Sequence, residues 1–144
     1  MSLSDLYQEV ILDHYRAPRN RGRLPDATVS LNAENPLCGD ELRLDLDVQG
    51  DRIANILFEG RGCSISLASA SMMTELVKGG TLSAAREAIA RFKAMLRSGE
   101  EDEALGDATA LVGVSKFPVR VKCATLAWTA LEQALDELSA DRAR

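Results

Sequence analysis

Three cysteines and one aspartate are the residues of this chain that could bind a metal ion together. Cys38 and Asp40 stand two positions apart, and an extended backbone would project both side chains to the same side. Gly39 between them lets the chain bend without a Cβ clash. Taken alone, this segment is more typical of a turn whose aspartate hydrogen-bonds its own backbone beside a buried cysteine.

Cys63 follows Gly60-Arg61-Gly62 at the predicted junction between a strand and a helix. The start of a helix carries unpaired N–H groups and the positive end of the helix dipole, which lower the pKa of a thiol. Glycines on both sides of Arg61 indicate a tight turn or a close approach to another group. The alternative is that Cys63 is only a small residue at a strand–helix joint.

Cys123 lies near the start of the last predicted helix, close to Arg120 and Lys122. These cations would favour a thiolate. The alternative is a core cysteine on the apolar face of that helix, packed with Val119 and Leu126.

Considered together, all three cysteines fall at junctions between predicted elements. Three thiolates and one carboxylate complete a tetrahedral shell, and zinc accepts sulfur and oxygen donors. The gaps between the cysteines are wide, so no short-spaced zinc-finger motif applies and the fold must bring three loops together. The sequence therefore predicts a zinc site made of Cys38, Asp40, Cys63 and Cys123.

Other common chemistries lack their motifs. The chain has no G-x-S-x-G, no G-x-G-x-x-G and no G-K-[ST] segment, so neither a serine hydrolase nor a nucleotide site is indicated. The single histidine, His14, shares a helical stripe with Leu6 and Val10. We expect it to be a packed or partner-facing residue rather than a metal ligand.

Composition narrows the class of protein further. A formal net charge of -5 argues against nucleic-acid binding, which needs a basic patch. No stretch approaches the roughly 18 apolar residues of a membrane span, and the first residues do not resemble a signal peptide. We therefore expect a cytoplasmic protein without a membrane partner, whose three cysteines are not a disulfide set. The length of 144 residues predicts a single domain over 1–144.

The predicted elements place strands early and helices late. Hydrophobic spacing and breaker residues predict a helix to about residue 15, a short strand at 28–32 and a hairpin of strands 42–49 and 52–59. Helices are predicted at 64–78, from residue 81 to 98, and from Pro118 onward, while 106–116 is ambiguous. Because strands and helices do not alternate as in βαβ units, this order indicates an α+β fold: a small antiparallel sheet of about three strands covered by helices. Along strand 42–49, the polar positions 43, 45, 47 and 49 are expected to face water.

Several segments resemble the SufU-type proteins of iron–sulfur cluster biogenesis, within the wider IscU-like scaffold family. These segments are 6–7, 11–16, 18–20, Asn-Pro-Leu-Cys-Gly-Asp at 35–40, Gly-Arg-Gly-Cys-Ser-Ile at 60–65, 68–73 and Phe-Pro-Val-Arg-Val-Lys-Cys-Ala at 117–124. IscU-like scaffolds typically carry a histidine just before the third cysteine, where this chain has Lys122. That difference, and the room for an extra helix between Cys63 and Cys123, place the chain on the SufU side.

The resemblance implies a SufE/IscU-like fold and a zinc-dependent sulfur acceptor. Such a protein takes persulfide sulfur from a SufS-type cysteine desulfurase, by analogy on Cys38, and passes it toward downstream cluster-assembly proteins. We hypothesise that Cys38 leaves the metal when the desulfurase docks, and that Arg120 or Lys122 steers the incoming persulfide. If the protein is counted as an enzyme, it is a sulfurtransferase. Two alternatives stay open: a scaffold holding a transient iron–sulfur cluster, and a non-catalytic structural zinc domain.

Overall fold

The computed structural model describes residues 3–143, with side chains from residue 7 onward. The helices are α1 (Leu3–Arg16), α2 (Ser64–Val77), α3 (Leu82–Ser98) and α4 (Pro118–Arg142), and the strands are β1 (Val29–Asn35), β2 (Asp40–Gln49) and β3 (Arg52–Arg61). A 3-10 segment, Glu103–Lys116, precedes α4 and is broken at Gly106, whose φ is 59°. The ambiguous stretch of the sequence is therefore wound as tight turns rather than as an α-helix.

The three strands form one antiparallel sheet in the order β1-β2-β3. Gly50 turns the chain between β2 and β3 with a φ of 64°, a conformation that glycine adopts without strain. The leucines at alternate positions of β2 are buried against the helices, as the period of two requires. The predicted α+β fold, with a small antiparallel sheet covered by helices, is confirmed.

The outer face of β2 differs from the prediction at one position. Asp45 was expected to face water but is only 1% exposed. The segment before β1 covers it, and the backbone N–H of Leu24 in that segment donates to Asp45 Oδ2 at 3.0 Å. From β2 itself, Arg43 Nε donates to Asp45 Oδ1 at 3.1 Å. Burial raises the pKa of Asp45, but hydrogen bonds from Ser30 and Leu24 and the charge of Arg43 outweigh it, so the pKa is lowered overall.

The helices share a core in which α2 is buried along nearly its whole length. Phe92 of α3 stacks on Trp128 of α4, with ring centroids 4.1 Å apart. Ser69 of α2 accepts a hydrogen bond from Trp128 Nε1 at 2.9 Å and donates to the carbonyl of Ala124 at 2.6 Å. These contacts hold the N-terminal halves of α2 and α4 side by side, which helps to fix the positions of Cys63, just before α2, and of Cys123 in α4.

Among residues 3–143, none of the helices combines the length and the apolar character that crossing a lipid bilayer would require.

Candidate metal centre

Three segments that are distant in the sequence meet at one end of the sheet. They are the β1–β2 connection, the junction of β3 and α2, and the start of α4. Cys38, Asp40 and Cys123 each offer one ligand atom, and these atoms all lie within 4.8 Å of one another. Cys38 Sγ is 2.8 Å from Cys123 Sγ. The structure thus places together residues that the sequence analysis assigned to one site.

Cys63 joins this group through its contacts with Asp40 and Cys123. Its Sγ lies 3.9 Å from Asp40 Oδ2 and 3.8 Å from Ser66 Oγ. It is also close enough to Cys123 to raise the pKa of that thiol. Cys63 is therefore a neighbour of this group, although its Sγ is not among the ligand atoms that all lie within 4.8 Å of one another.

The β1–β2 connection is shaped by local hydrogen bonds that present Cys38. The backbone carbonyl of Asn35 accepts from the N–H of Cys38, and its side-chain Oδ1 accepts from the N–H of Leu37, both at 3.2 Å. Gly39 then takes a φ of 69°, which returns the chain into β2. A side-chain-closed turn of this kind is characteristic of asparagine before proline.

Asp40 is the first residue of β2 and is almost completely buried. Its Oδ1 accepts a hydrogen bond at 2.9 Å from the backbone N–H of Cys63, the residue that precedes α2. A Cβ atom on Gly62 would lie only 2.3 Å from that same oxygen and 2.7 Å from Ser66 Oγ. The close approach expected around Arg61 is therefore the approach of Gly62 to the carboxylate of Asp40.

The pKa of the Cys123 thiol is raised by its surroundings in the protein. Burial raises the pKa of Cys123 well above its ordinary value, and the adjacent Cys38 and Cys63 raise it further. A bound dication reverses this balance because it stabilises every thiolate around it. Three sulfur donors and one carboxylate, of which Cys38, Asp40 and Cys123 lie within 4.8 Å of one another, match the donor set that zinc accepts. The residues therefore fit a zinc ion.

Cys38 and Cys63 are half-buried, whereas Cys123 is 3% exposed. The three cysteines line an open depression of about 470 Å³ together with the segment from Phe117 to Arg120. The side chain of Arg120 is exposed there, whereas exposed Lys122 is not part of the lining. Of the two cations considered from the sequence, Arg120 is thus the one beside the sulfurs.

Exposed apolar side chains surround this depression, a feature that the sequence analysis missed. Leu37 is 67% exposed, Phe117 55% and Val119 57%. The expectation that Val119 packs in the core beside Cys123 is wrong, because the start of α4 turns that side chain outward. The only available signal was the direct adjacency of apolar residues to the cysteine motifs.

His14 belongs to a different cluster. It is fully buried, its Nδ1 is 2.8 Å from Ser71 Oγ, and its Nε2 is 2.8 Å from Asp107 Oδ2. It therefore links α1 to α2 and to the 3-10 segment as a packed residue.

Comparison with known proteins places the chain among iron–sulfur assembly proteins. Residues 6–143 match the family model described as the NifU-like N-terminal domain. The chain is 50% identical over 134 residues to the zinc-dependent sulfurtransferase SufU of Bacillus subtilis, covering 92% of this chain and 90% of that protein. It is 43% identical to the iron–sulfur cluster assembly scaffold protein IscU of Streptococcus pyogenes, over 92% of this chain and 84% of that protein.

A solved structure shows the same fold. It is described as a candidate iron–sulfur cluster assembly scaffold protein for the SUF system of Fervidobacterium islandicum. It superimposes with a TM-score of 0.85 at 36% identity, over 93% of this chain and 99% of that chain.

Proposed function

The chain belongs to the family of NifU-like N-terminal domains, and on that premise we propose that it is a zinc-dependent sulfur-transfer protein of iron–sulfur cluster biogenesis. In this role it accepts persulfide sulfur from a SufS-type cysteine desulfurase in the cytoplasm and passes it to downstream cluster-assembly proteins. One observation carries the proposal: three thiols line one open depression, and the buried carboxylate of Asp40 lies beside them. The 50% identity to a zinc-dependent sulfurtransferase supports the same assignment.

Cys38, Asp40, Cys63 and Cys123 are the residues that would hold zinc. When bound, the ion supplies the positive charge that keeps the thiols deprotonated. These four donors complete a tetrahedral shell without a histidine or a second acid. His14 is engaged with Ser71 instead.

Cys38 is the thiol best placed to accept sulfur. It lies on the four-residue β1–β2 connection, next to Leu37, which is 67% exposed. Cys63, in contrast, precedes α2 and has its backbone N–H tied to Asp40, and Cys123 is buried within α4. A donor protein therefore meets Cys38 first, and the short connection can move without disturbing a helix or strand.

The transfer itself exchanges one sulfur–sulfur bond for another. The thiolate of Cys38 attacks the outer sulfur of the donor persulfide, a new S–S bond forms at Cys38, and the donor cysteine leaves as a thiolate. One sulfur atom moves and no net oxidation occurs. Arg120, exposed at the edge of the same depression, supplies positive charge close to the anionic persulfide.

A persulfide-loaded desulfurase tests this proposal. The zinc-loaded wild-type protein should gain one sulfur atom on Cys38, located by mass spectrometry of its peptides, and should speed desulfurase turnover. Cys38→Ala should keep the helical circular dichroism spectrum of the wild type but accept no sulfur. If Cys38→Ala stimulates the desulfurase as the wild type does, Cys38 is not the acceptor.

A cluster scaffold is the second candidate function, because the chain is 43% identical to an IscU scaffold protein. The same four ligands would then hold an iron–sulfur cluster. Anaerobic reconstitution separates the two functions, since a scaffold gains a stable visible chromophore and a sulfur acceptor keeps zinc.

A purely structural zinc site is less well supported. The sulfurs lie in an open depression and one donor is a carboxylate, whereas structural sites are closed and use sulfur and nitrogen. If the site were structural, replacing any ligand would unfold the protein and no desulfurase would respond.

A further inference from the structure

The side-chain amide of Asn35 is a buried hydrogen-bond donor with no acceptor. Asn35 is 8% exposed, and its Nδ2 finds no hydrogen-bond partner among the residues that the structure describes. Buried polar groups without partners are rare in folded proteins because their lost contacts with water are not replaced. An orphaned donor of this kind therefore indicates a missing acceptor.

The orientation of the amide follows from its other contact. Its Oδ1 accepts the N–H of Leu37 at 3.2 Å. Exchanging oxygen and nitrogen would point the amide N–H groups at that donor, so the observed orientation is the one that the turn requires. The unpaired group is thus an NH₂ with two hydrogens to donate.

The position of Asn35 places its side chain on the same face of the sheet as Asp40, one of the proposed metal ligands. Asn35 and Asp40 are directly opposite each other in the β1–β2 pair, so their side chains leave the same face of the sheet about 4.5–5.5 Å apart at Cβ. Asp40 on that face contacts Cys63, and its ligand oxygen lies within 4.8 Å of the sulfurs of Cys38 and Cys123.

Sulfur is the acceptor that this setting can supply. Asp40 Oδ1 is already engaged by the N–H of Cys63, and in the proposed site the other carboxylate oxygen would bind the metal. A thiolate held by a metal ion is a charge-assisted acceptor, so a metal-bound sulfur on this face would supply the partner that the amide lacks.

We propose that Asn35 is a positioning residue whose Nδ2 donates an N–H···S hydrogen bond to a metal-bound thiolate of the Cys38–Cys123 pair. Through its Oδ1 the same side chain closes the turn that carries Cys38, so one residue joins the shape of the loop to the sulfurs of the proposed site. This inference rests on the proposed zinc-bound function and assigns a role within that site.

The hydrogen bond can be observed directly by NMR. The protein is loaded with the NMR-active isotope of cadmium in place of zinc, and its asparagine side-chain amides are labelled with the heavy nitrogen isotope. The Asn35 amide should exchange slowly with solvent and show scalar coupling to cadmium across the N–H···S bond. Asn35→Asp assigns the signal by removing it, while Asn32→Asp, on the exposed face of β1, should leave it in place.

Metal affinity provides the second measurement. Asn35→Asp keeps an acceptor for the Leu37 N–H but removes the donor, and loss of such an outer contact should weaken zinc binding about 10–100-fold in a chelator competition. Asn35→Ser retains a short donor and acceptor and should therefore lose less zinc affinity than Asn35→Asp. Asn32→Asp should bind zinc as tightly as the wild type does.

The outcomes separate this inference from the proposed function. If wild type binds metal but the Asn35 amide shows no coupling to cadmium, the hydrogen bond is absent and Asn35 serves only the turn. Unchanged zinc affinity in both Asn35 variants would also overturn the inference. If the wild type binds neither zinc nor cadmium, the zinc-dependent function fails together with it.

Discussion

Replacing Gly62 by alanine should disrupt the metal centre while leaving the fold in place. A Cβ atom at this position would lie 2.3 Å from Asp40 Oδ1, 2.9 Å from Asp40 Cγ and 2.7 Å from Ser66 Oγ. Ordinary contacts begin near 3.4 Å, so the carboxylate must move by about 1 Å or the β3–α2 junction must open. Either movement breaks the hydrogen bond that Asp40 accepts from the N–H of Cys63.

The size of the effect follows from the contacts that are lost. A hydrogen bond to a charged group contributes about 1.5–3 kcal/mol, and overpacking a tight site costs about 1–3 kcal/mol. Gly62 is exposed on its other side, so the junction can relax. The free energy of unfolding of the metal-free protein should therefore fall by an amount at the lower end of this range. Gly62 and the N–H of Cys63 position the carboxylate of Asp40, the proposed ligand, so losing this outer contact should lower zinc affinity about 10–100-fold.

Two assays on the same variant distinguish these effects. Urea unfolding of the metal-free protein measures the stability of the fold, and chelator competition measures zinc affinity. Gly113→Ala is a matched control, because a Cβ there meets no atom within 4 Å. If Gly62→Ala binds zinc as tightly as Gly113→Ala does, the position of the Asp40 carboxylate is not part of the metal site and the reasoning is refuted.

Three further predictions concern charge, metal and stability. Asp45→Asn should lower the free energy of unfolding by about 2 kcal/mol at neutral pH, since it weakens charge-assisted hydrogen bonds. Because the pKa of Asp45 is lowered in the folded protein, Asp45 stabilises the fold at pH values above its ordinary pKa of 3.8. This stabilisation is lost as the pH falls below 3.8 toward the folded pKa, so the stabilities of wild type and variant should converge in acid denaturation. Free zinc at one hundred times its dissociation constant should raise the unfolding free energy by about 2.7 kcal/mol, and a zinc-independent melting temperature would contradict the metal site. Arg120→Ala should slow sulfur transfer up to about fivefold, in a salt-dependent manner, whereas Lys122→Ala should not; equal effects of both would exclude a specific role for Arg120.

The elements of the fold were largely predictable because their signals are local. The alternation of leucines in β2 depends only on positions two residues apart. The cap of α3 is equally local, because the side chain of Thr81 accepts from the N–H of Ala84. The prediction was wrong at Asp45, since a segment more than fifteen residues earlier folds back and buries it. Its burial therefore came from a contact that no short pattern encodes.

The sequence by itself determined which groups could bind a metal: three thiols at element junctions, an aspartate beside the first, and glycines before the second. Side-chain chemistry and the backbone freedom of glycine are properties of individual residues, so they can be read without coordinates. Only the tertiary structure decided that these groups meet, that the side-chain amide of Asn35 is buried without a partner among the described residues, and that Val119 faces outward. Each of these depends on how β1, α2 and α4 pack, and packing is a sum over long-range contacts that local spacing does not contain.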